Sequence, residues 1–180
     1  MIYTYNECLE KYGSDYQIKK RLNNKELFKI EAGVYADTDM VSDIAVIASK
    51  YPNAVVTMNS AFYYHDLTDS IPQRIHIATK RNARALRDVR IKQIYVDDSI
   101  FDIGIEKMKY RDGNIRIYNK ERMLVELLRF QNILPKDYYK EIQSNYREIV
   151  YDLDVQQITE YAELFPKSRM ILETLQREIL

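Results

Sequence analysis

The fold class is decided by residues 13–36, which read GSDYQIKKRLNNKELFKIEAGVYA. Gly13 is a typical helix stop, and Ser14 is a favourable N-cap for a helix that follows it. Ile18 and Leu22 lie four residues apart and therefore share the buried face of that helix. Two short apolar stretches around Gly33 then predict a β-hairpin.

The residues before this stretch predict one more helix, over positions 5–12. Helix, short break, helix and small hairpin is the order of elements in a winged helix-turn-helix, whose second helix enters the DNA major groove. The same pattern also fits a helical hairpin that only packs on the rest of the chain. We assign residues 1–38 to a winged helix-turn-helix domain as a hypothesis.

Residues 37–118 predict a mixed α/β region with a small, mostly antiparallel sheet. The predicted strands are 54–57, 75–78, 91–96, 105–110 and 115–118, and the predicted helices are 43–50 and 60–65, the second capped by Asn59 or Ser60. An Asp112-Gly113 turn separates the last two strands and is a strong hairpin signal. His76 alternates with two isoleucines in its strand, so we expect it to face solvent.

Residues 119–180 predict helices throughout. Asn119 and Asp154 are suitable N-caps, and Pro166 suits the first turn of the final helix. We therefore predict an α+β protein with an N-terminal winged helix-turn-helix, a mixed α/β middle and an all-helical C-terminal part. The middle and C-terminal parts together form a second domain, residues 39–180.

Composition excludes several classes of protein. The chain has 180 residues, of which 46% are hydrophobic and 30% charged, so whole-chain disorder is excluded. It contains no apolar run of the roughly 20 residues that a membrane span needs. One cysteine excludes a disulfide framework, and two histidines and four glycines argue against a metal site or a phosphate loop. We expect a cytoplasmic protein without metal, cofactor or membrane partner.

Charge is balanced over the whole chain but not locally. Lysine plus arginine and Asp plus Glu each number 27, whereas residues 74–92 carry a net charge of +6. In this stretch Arg81, Arg84 and Arg87 recur every third residue. If this stretch is helical, the three arginines lie on one face that shifts gradually around the helix. If it is a loop, they form a diffuse positive surface. They predict either a solvated surface or a second anion-binding surface for DNA flanks, RNA or an acidic protein.

Enzyme patterns are incomplete in this chain. Asp152 and Asp154 match the second half of a nucleotidyltransferase pattern, but the only Gly-Ser pair, 13–14, lies far away. Asp154 is better explained as a helix cap. Cys8 and His65 could form a dyad, yet a lone helical cysteine is more often buried and His65 lies at a helix end. We predict no catalytic residues and no enzymatic activity.

Four pieces of the chain, in order over residues 14–127, resemble the AbiEi family of antitoxins from bacterial toxin–antitoxin and abortive-infection systems. These pieces are 14–35 with its Gly-Val-Tyr ending, 51–68 with Ser-Ala and His-x-Leu-Thr, 71–78 with Ile-Pro before a strand, and 115–127 with Glu-Arg-x-Leu-Val. Met123 and Glu126 depart from the Thr and Asp that are common in the family.

The resemblance implies a function in two parts. An N-terminal winged helix would bind inverted repeats in double-stranded DNA at the promoter of its own operon and repress it. The C-terminal region would counteract a nucleotidyltransferase-type toxin without requiring a stable complex. Carried onto this chain, the DNA-binding candidates are Ser14 for a phosphate, Tyr16, Gln17, Lys19 and Lys20 for bases, and Lys25 and Lys29 for the wing. The alternative is a non-enzymatic module that binds a partner protein through its helical C-terminal part.

Overall fold

A computed structural model describes residues 1–111 and 113–180. In these ranges it contains helices and strands in a mixed order, which confirms the α+β class. The elements are β1 (Ile2–Thr4), α1 (Tyr5–Tyr12), α2 (Asp15–Asn23), β2 (Phe28–Glu31), β3 (Val34–Ala36), α3 (Asp43–Lys50), β4 (Val55–Val56), α4 (Met58–Tyr64), β5 (Ile75–Lys80), β6 (Ile91–Val96), α5 (Asp98–Phe101), β7 (Ile105–Tyr110), β8 (Gly113–Tyr118), α6 (Lys120–Arg129), α7 (Lys136–Glu148), a 3-10 turn (Val150–Asp152), α8 (Val155–Leu164) and α9 (Ser168–Glu178).

The chain divides into two compact units, residues 1–54 with 107–116 and residues 55–106 with 117–180. In the first unit, β1, β3 and β2 form a three-stranded sheet in that order, and both pairings are antiparallel. Strand β1 was not predicted from the sequence, because three residues carry too little pattern to identify a strand.

Local signals set the ends of α1 and α2 as expected. The N–H of Gly13 donates to the Leu9 carbonyl at 2.8 Å, and Gly13 has a φ of 82°, the left-handed conformation that ends a helix. The Ser14 hydroxyl oxygen accepts a hydrogen bond from the Gln17 N–H at 3.3 Å and caps α2. The predicted helix stop and N-cap are both confirmed.

The core of the first unit joins its helices to its sheet. Its buried members are Tyr3, Cys8, Ile18, Leu27 and Tyr35. Cys8 is fully buried, as expected for a lone helical cysteine, and burial raises the pKa of its thiol. The apolar inner face of α2 is therefore anchored, and its opposite face is directed to solvent.

The second sheet has the strand order β6-β5-β4-β8-β7. Its β4–β5 pairing is antiparallel, but the β5–β6 and β4–β8 pairings are parallel. The prediction of a mostly antiparallel sheet is therefore wrong. Residue alternation indicates that strands form, but the relative direction of two strands depends on how the chain connects them. Residues 81–90 carry the chain from the end of β5 back to the edge at which β5 began, so β6 runs parallel to β5. Asp112 of the predicted Asp-Gly turn lies outside the described residues.

His76 is buried, with only 8% of its surface exposed, so its predicted exposure is wrong. Four consecutive residues of β5, 76–79, are buried because helices pack against this internal strand. The Nδ1 atom of His76 has no hydrogen-bond partner among the described residues. Burial, with a smaller contribution from Lys92, lowers the pKa of His76 to about 4.

Residues 119–180, all of them described, contain only helical elements and connections, as predicted. Asn119 accepts a hydrogen bond from the Arg122 N–H and caps α6, and Asp154 caps α8 in the same way. Two predicted helix starts are displaced. The N-cap of α4 is Thr57 rather than Asn59 or Ser60, and α9 begins at Ser168, so Pro166 precedes it.

Candidate nucleic-acid interface

The outer face of α2 carries the residues predicted to read DNA bases. Ile18 is 2% exposed, so the face of α2 that carries it is buried. Tyr16, Gln17 and Lys20 are exposed to solvent. Tyr16 is 73% exposed, an unusual position for a large aromatic side chain. A ring and long polar groups on a helix with a buried back are suited to insertion into a groove.

The two candidate lysines of α2 differ in their partners. Lys19 Nζ lies 2.7 Å from Asp15 Oδ2, and this hydrogen bond raises the pKa of Lys19. Both side chains are exposed, so the pair is weak and a phosphate could replace the carboxylate. Lys20 has no carboxylate partner in the part of the chain that the structure describes. Lys20 is therefore the more available cation.

Ser14 combines two possible roles at the start of α2. Its hydroxyl oxygen accepts the Gln17 N–H, so its first role is to cap the helix. The hydroxyl hydrogen remains able to donate to an anion placed at the positive end of the helix. Ser14 is exposed, which such a contact requires.

The wing candidates lie on and before the β2–β3 hairpin. Lys29 is exposed on β2, where it pairs in register with Tyr35 of β3. Lys25 is exposed in the connection from α2, with a φ of 59°, and its N–H donates to the Leu22 carbonyl. Both lysines therefore sit on rigid backbone next to the hairpin.

Several carboxylates of this region are engaged locally. Glu7 accepts the Thr4 N–H at 2.6 Å in a capping box at the start of α1. Glu26 pairs with Arg21 at 2.6 Å, and Glu31 lies 3.2 Å from Lys50 Nζ. Residues 1–40 carry a net charge of −1, but this sum does not describe the local potential near the exposed lysines.

The predicted second anion surface is a loop, because residues 83–88 form neither helix nor strand. Arg81 pairs with Asp97 at 3.6 Å. By contrast, Arg84 and Arg87 are not buried and make no ion pair with any described carboxylate. Arg84 and Arg87 thus differ from Arg81 in having no ion-pair partner among the described residues, although the three are equally spaced in the sequence.

Three of the four residues considered for catalysis, Asp154, His65 and Cys8, have structural roles. Asp154 Oδ1 accepts the Gln157 N–H at 2.9 Å, which confirms its interpretation as a helix cap. His65 ends α4, and its Nε2 lies 2.7 Å from the Tyr118 carbonyl oxygen. Burial lowers the pKa of His65 and favours its neutral form. Cys8 belongs to the core of the first unit.

Gln93 holds the arginine loop in place and was not predicted from the sequence. Its Nε2 donates to Thr79 Oγ1 at 2.8 Å and to the Arg84 carbonyl at 3.1 Å, and its Oε1 accepts the Leu86 N–H at 2.8 Å. A single polar residue in a strand gives no sequence signal for such a role.

No model of a protein family matches the chain, and no match was found among curated proteins. Within the described ranges, no helix is both long enough and apolar enough to cross a membrane.

Proposed function

We propose that this chain is a DNA-binding antitoxin that represses its own toxin–antitoxin operon and counteracts a nucleotidyltransferase-type toxin. One observation carries the proposal: α2 has a buried back and an outer face of Tyr16, Gln17 and Lys20, and a hairpin follows it directly. In this proposal residues 1–38 act as a winged helix-turn-helix. Pairing of β1 with β3 supports it, since a third strand stabilises the hairpin that serves as the wing.

The DNA contacts divide by chemistry. Gln17 can make paired hydrogen bonds with an adenine edge, and Tyr16 can reach a base or a sugar from the same face. Lys25 and Lys29 supply phosphate contacts that position the domain, and we assign Lys20 to a phosphate as well, in place of the base edge predicted from the sequence. An operator with inverted repeats requires two copies of the chain, each reading one half-site.

The antitoxin activity belongs to residues 39–180 in this proposal, and it requires neither metal nor cofactor. Its support is the resemblance of residues 51–78 and 115–127 to the AbiEi family. The helices and strands of these pieces pack together in the second unit, where α4 contacts both β5 and α6. Residues 55–78 and 117–127 of these pieces therefore belong to the same compact unit.

A gel shift with the DNA upstream of the reading frame tests the proposal, at two salt concentrations and with unrelated competitor DNA. Lys20→Ala should weaken binding to all sequences and lower the salt slope by about 0.9, because it removes one phosphate contact. Gln17→Ala should instead reduce the preference for the promoter over competitor. Lys140→Ala, which removes an exposed lysine of α7, is the matched control. Equal binding by all four proteins would refute the assignment.

A second candidate function is a protein-interaction module, favoured by one feature of the C-terminal helices. A cavity of about 770 Å³ lies along α8 and α9 and is lined by Val155, Leu172 and Leu175 among others. Apolar exposure at this surface is typical of contact sites. Recovery of a stable partner that Leu172→Lys abolishes, with no specific DNA shift, would favour this function.

A further inference from the structure

The loop between β5 and β6 presents two arginines selectively. Three of its basic neighbours lie close to carboxylates: Lys80 lies 3.2 Å from Asp102, Arg81 lies 3.6 Å from Asp97, and Arg90 lies 2.7 Å from Asp88. Arg84 and Arg87 have no such partner among the described carboxylates, and neither is buried. The positive potential of the loop is therefore concentrated at these two guanidinium groups.

Side-chain hydrogen bonds anchor this loop at Arg84 and Leu86, although it has no regular structure. The three hydrogen bonds of Gln93 join the Arg84 carbonyl and the Leu86 N–H to a side chain of β6 and, through Thr79, to β5. A ligand that binds Arg84 and Arg87 does not have to order the backbone that carries them. Such preorganisation lowers the entropic cost of binding.

An exposed aromatic ring lies on β6, the strand whose Gln93 binds the loop. Side chains alternate along a strand, so Tyr95 is on the same face of β6 as Gln93, about 7 Å further along. β6 is the terminal strand of the sheet, and Tyr95 is 48% exposed. The surface defined by Arg84, Arg87 and Tyr95 thus combines two open cations with one accessible ring.

We propose that this surface binds single-stranded nucleic acid and is distinct from the double-stranded DNA site on α2. Guanidinium groups form paired hydrogen bonds with phosphate oxygens. An unpaired base can stack on an exposed tyrosine, whereas the bases of a duplex are already stacked on their neighbours. The ring therefore favours a single strand over a duplex, and the arginines hold its backbone.

The test measures binding of the full chain to a fluorescently labelled 12-nucleotide oligouridylate by anisotropy at three salt concentrations. Arg84→Ala/Arg87→Ala should lower the salt slope by about 1.4, the value for two phosphate contacts on a single strand. Tyr95→Ala should weaken binding at least about fivefold with an unchanged slope, and Tyr95→Phe should bind like the parent because it keeps the ring. Lys140→Ala, which removes an exposed lysine of α7, is the matched control and should bind within about twofold of the parent.

Other outcomes would overturn the proposal. If the chain bound neither oligouridylate nor oligothymidylate, the proposal would be wrong. If it bound one of them more tightly, that preference would identify RNA or DNA as the ligand. Equal competition by a duplex, together with parent-like binding of Tyr95→Ala, would show a general polyanion surface instead.

The same variants separate this proposal from the promoter-binding function. Lys20→Ala and Gln17→Ala should leave oligouridylate binding unchanged, and Arg84→Ala/Arg87→Ala should leave the promoter shift unchanged. If Arg84→Ala/Arg87→Ala weakened both to the same extent, the loop would belong to the promoter site and the proposal would be wrong.

Discussion

Arg122 and Glu126 form a buried ion pair one turn apart on α6, with 2.8 Å between Arg122 Nη2 and Glu126 Oε1. Arg122 is fully buried, and its guanidinium lies 3.9 Å from the centre of the Phe165 ring. Its Nη1 also donates to the Ile100 carbonyl at 2.9 Å. The pair therefore links α6 to residues far apart in the sequence. It also gives a structural reason for the Glu-Arg-x-Leu-Val piece of the chain.

Replacement of Arg122 by methionine should lower the free energy of unfolding by about 3–5 kcal/mol. The reason is that Glu126, which is 3% exposed, loses its more buried partner and keeps only Arg129, whose Nη2 lies 2.7 Å from Glu126 Oε2. Urea unfolding followed by circular dichroism measures the effect. Arg122→Met/Glu126→Leu should recover part of the stability, because it removes both charges of the buried pair and fills the space but leaves Arg129 without its partner. A decrease below about 1 kcal/mol in the single variant would show that the pair is unimportant for stability.

Gly104 should not tolerate a side chain. A Cβ at this position would lie 2.5 Å from the Arg122 Cβ and 2.8 Å from Asn119 Oδ1, and the residue has a φ of 72°. We expect Gly104→Ala to lower the melting temperature strongly or to prevent folding. Gly33→Ala is the control: its φ of 79° is equally unfavourable, but no atom lies within 4 Å of the added Cβ. It should cost only about 1 kcal/mol. Similar melting temperatures for the two variants would contradict the close approach at Gly104.

The buried His76 should make the second unit sensitive to acid. Its pKa is about 4 in the folded chain and near 6.5 when unfolded. Between these values the unfolded chain binds the additional proton, so the free energy of unfolding falls as pH decreases from 6.5 to 4. The decrease due to this residue is about 3 kcal/mol between about pH 7 and pH 4. His76→Phe should have a shallower pH dependence in urea unfolding. Parallel pH profiles of parent and variant would show that His76 is not responsible.

Neutralising Asp15 should strengthen promoter binding. Asp15→Asn releases Lys19 from its 2.7 Å ion pair and removes a negative charge from the first turn of α2. We expect higher affinity and a salt slope larger by about 0.9, the value for one additional phosphate contact. Glu10→Gln, which removes an exposed carboxylate from α1, is the control for charge alone. Equal increases in affinity for the two variants would mean that Lys19 makes no specific contact.

Local signals accounted for much of the chain. Gly13, Ser14, Asn119 and Asp154 end or cap helices where expected, because these hydrogen bonds join residues within four positions of each other. The candidate base-reading face of α2 was also predictable, since helical spacing decides which residues share a side. The direction of strand pairing was not predictable, because it joins segments far apart in the chain.

The amino-acid sequence by itself determined where most helices and strands form, that α2 has one apolar and one polar face, and that positive charge gathers between residues 74 and 92. Tertiary structure alone decided which charges are open and which are satisfied. Arg81, Arg84 and Arg87 are equally spaced in the sequence, yet of these three only Arg81 lies close to a described aspartate in the folded chain. The burial of His76 and Arg122 is likewise decided by tertiary structure. Coulomb interaction and desolvation depend on distances in space, which the order of residues along the chain does not specify.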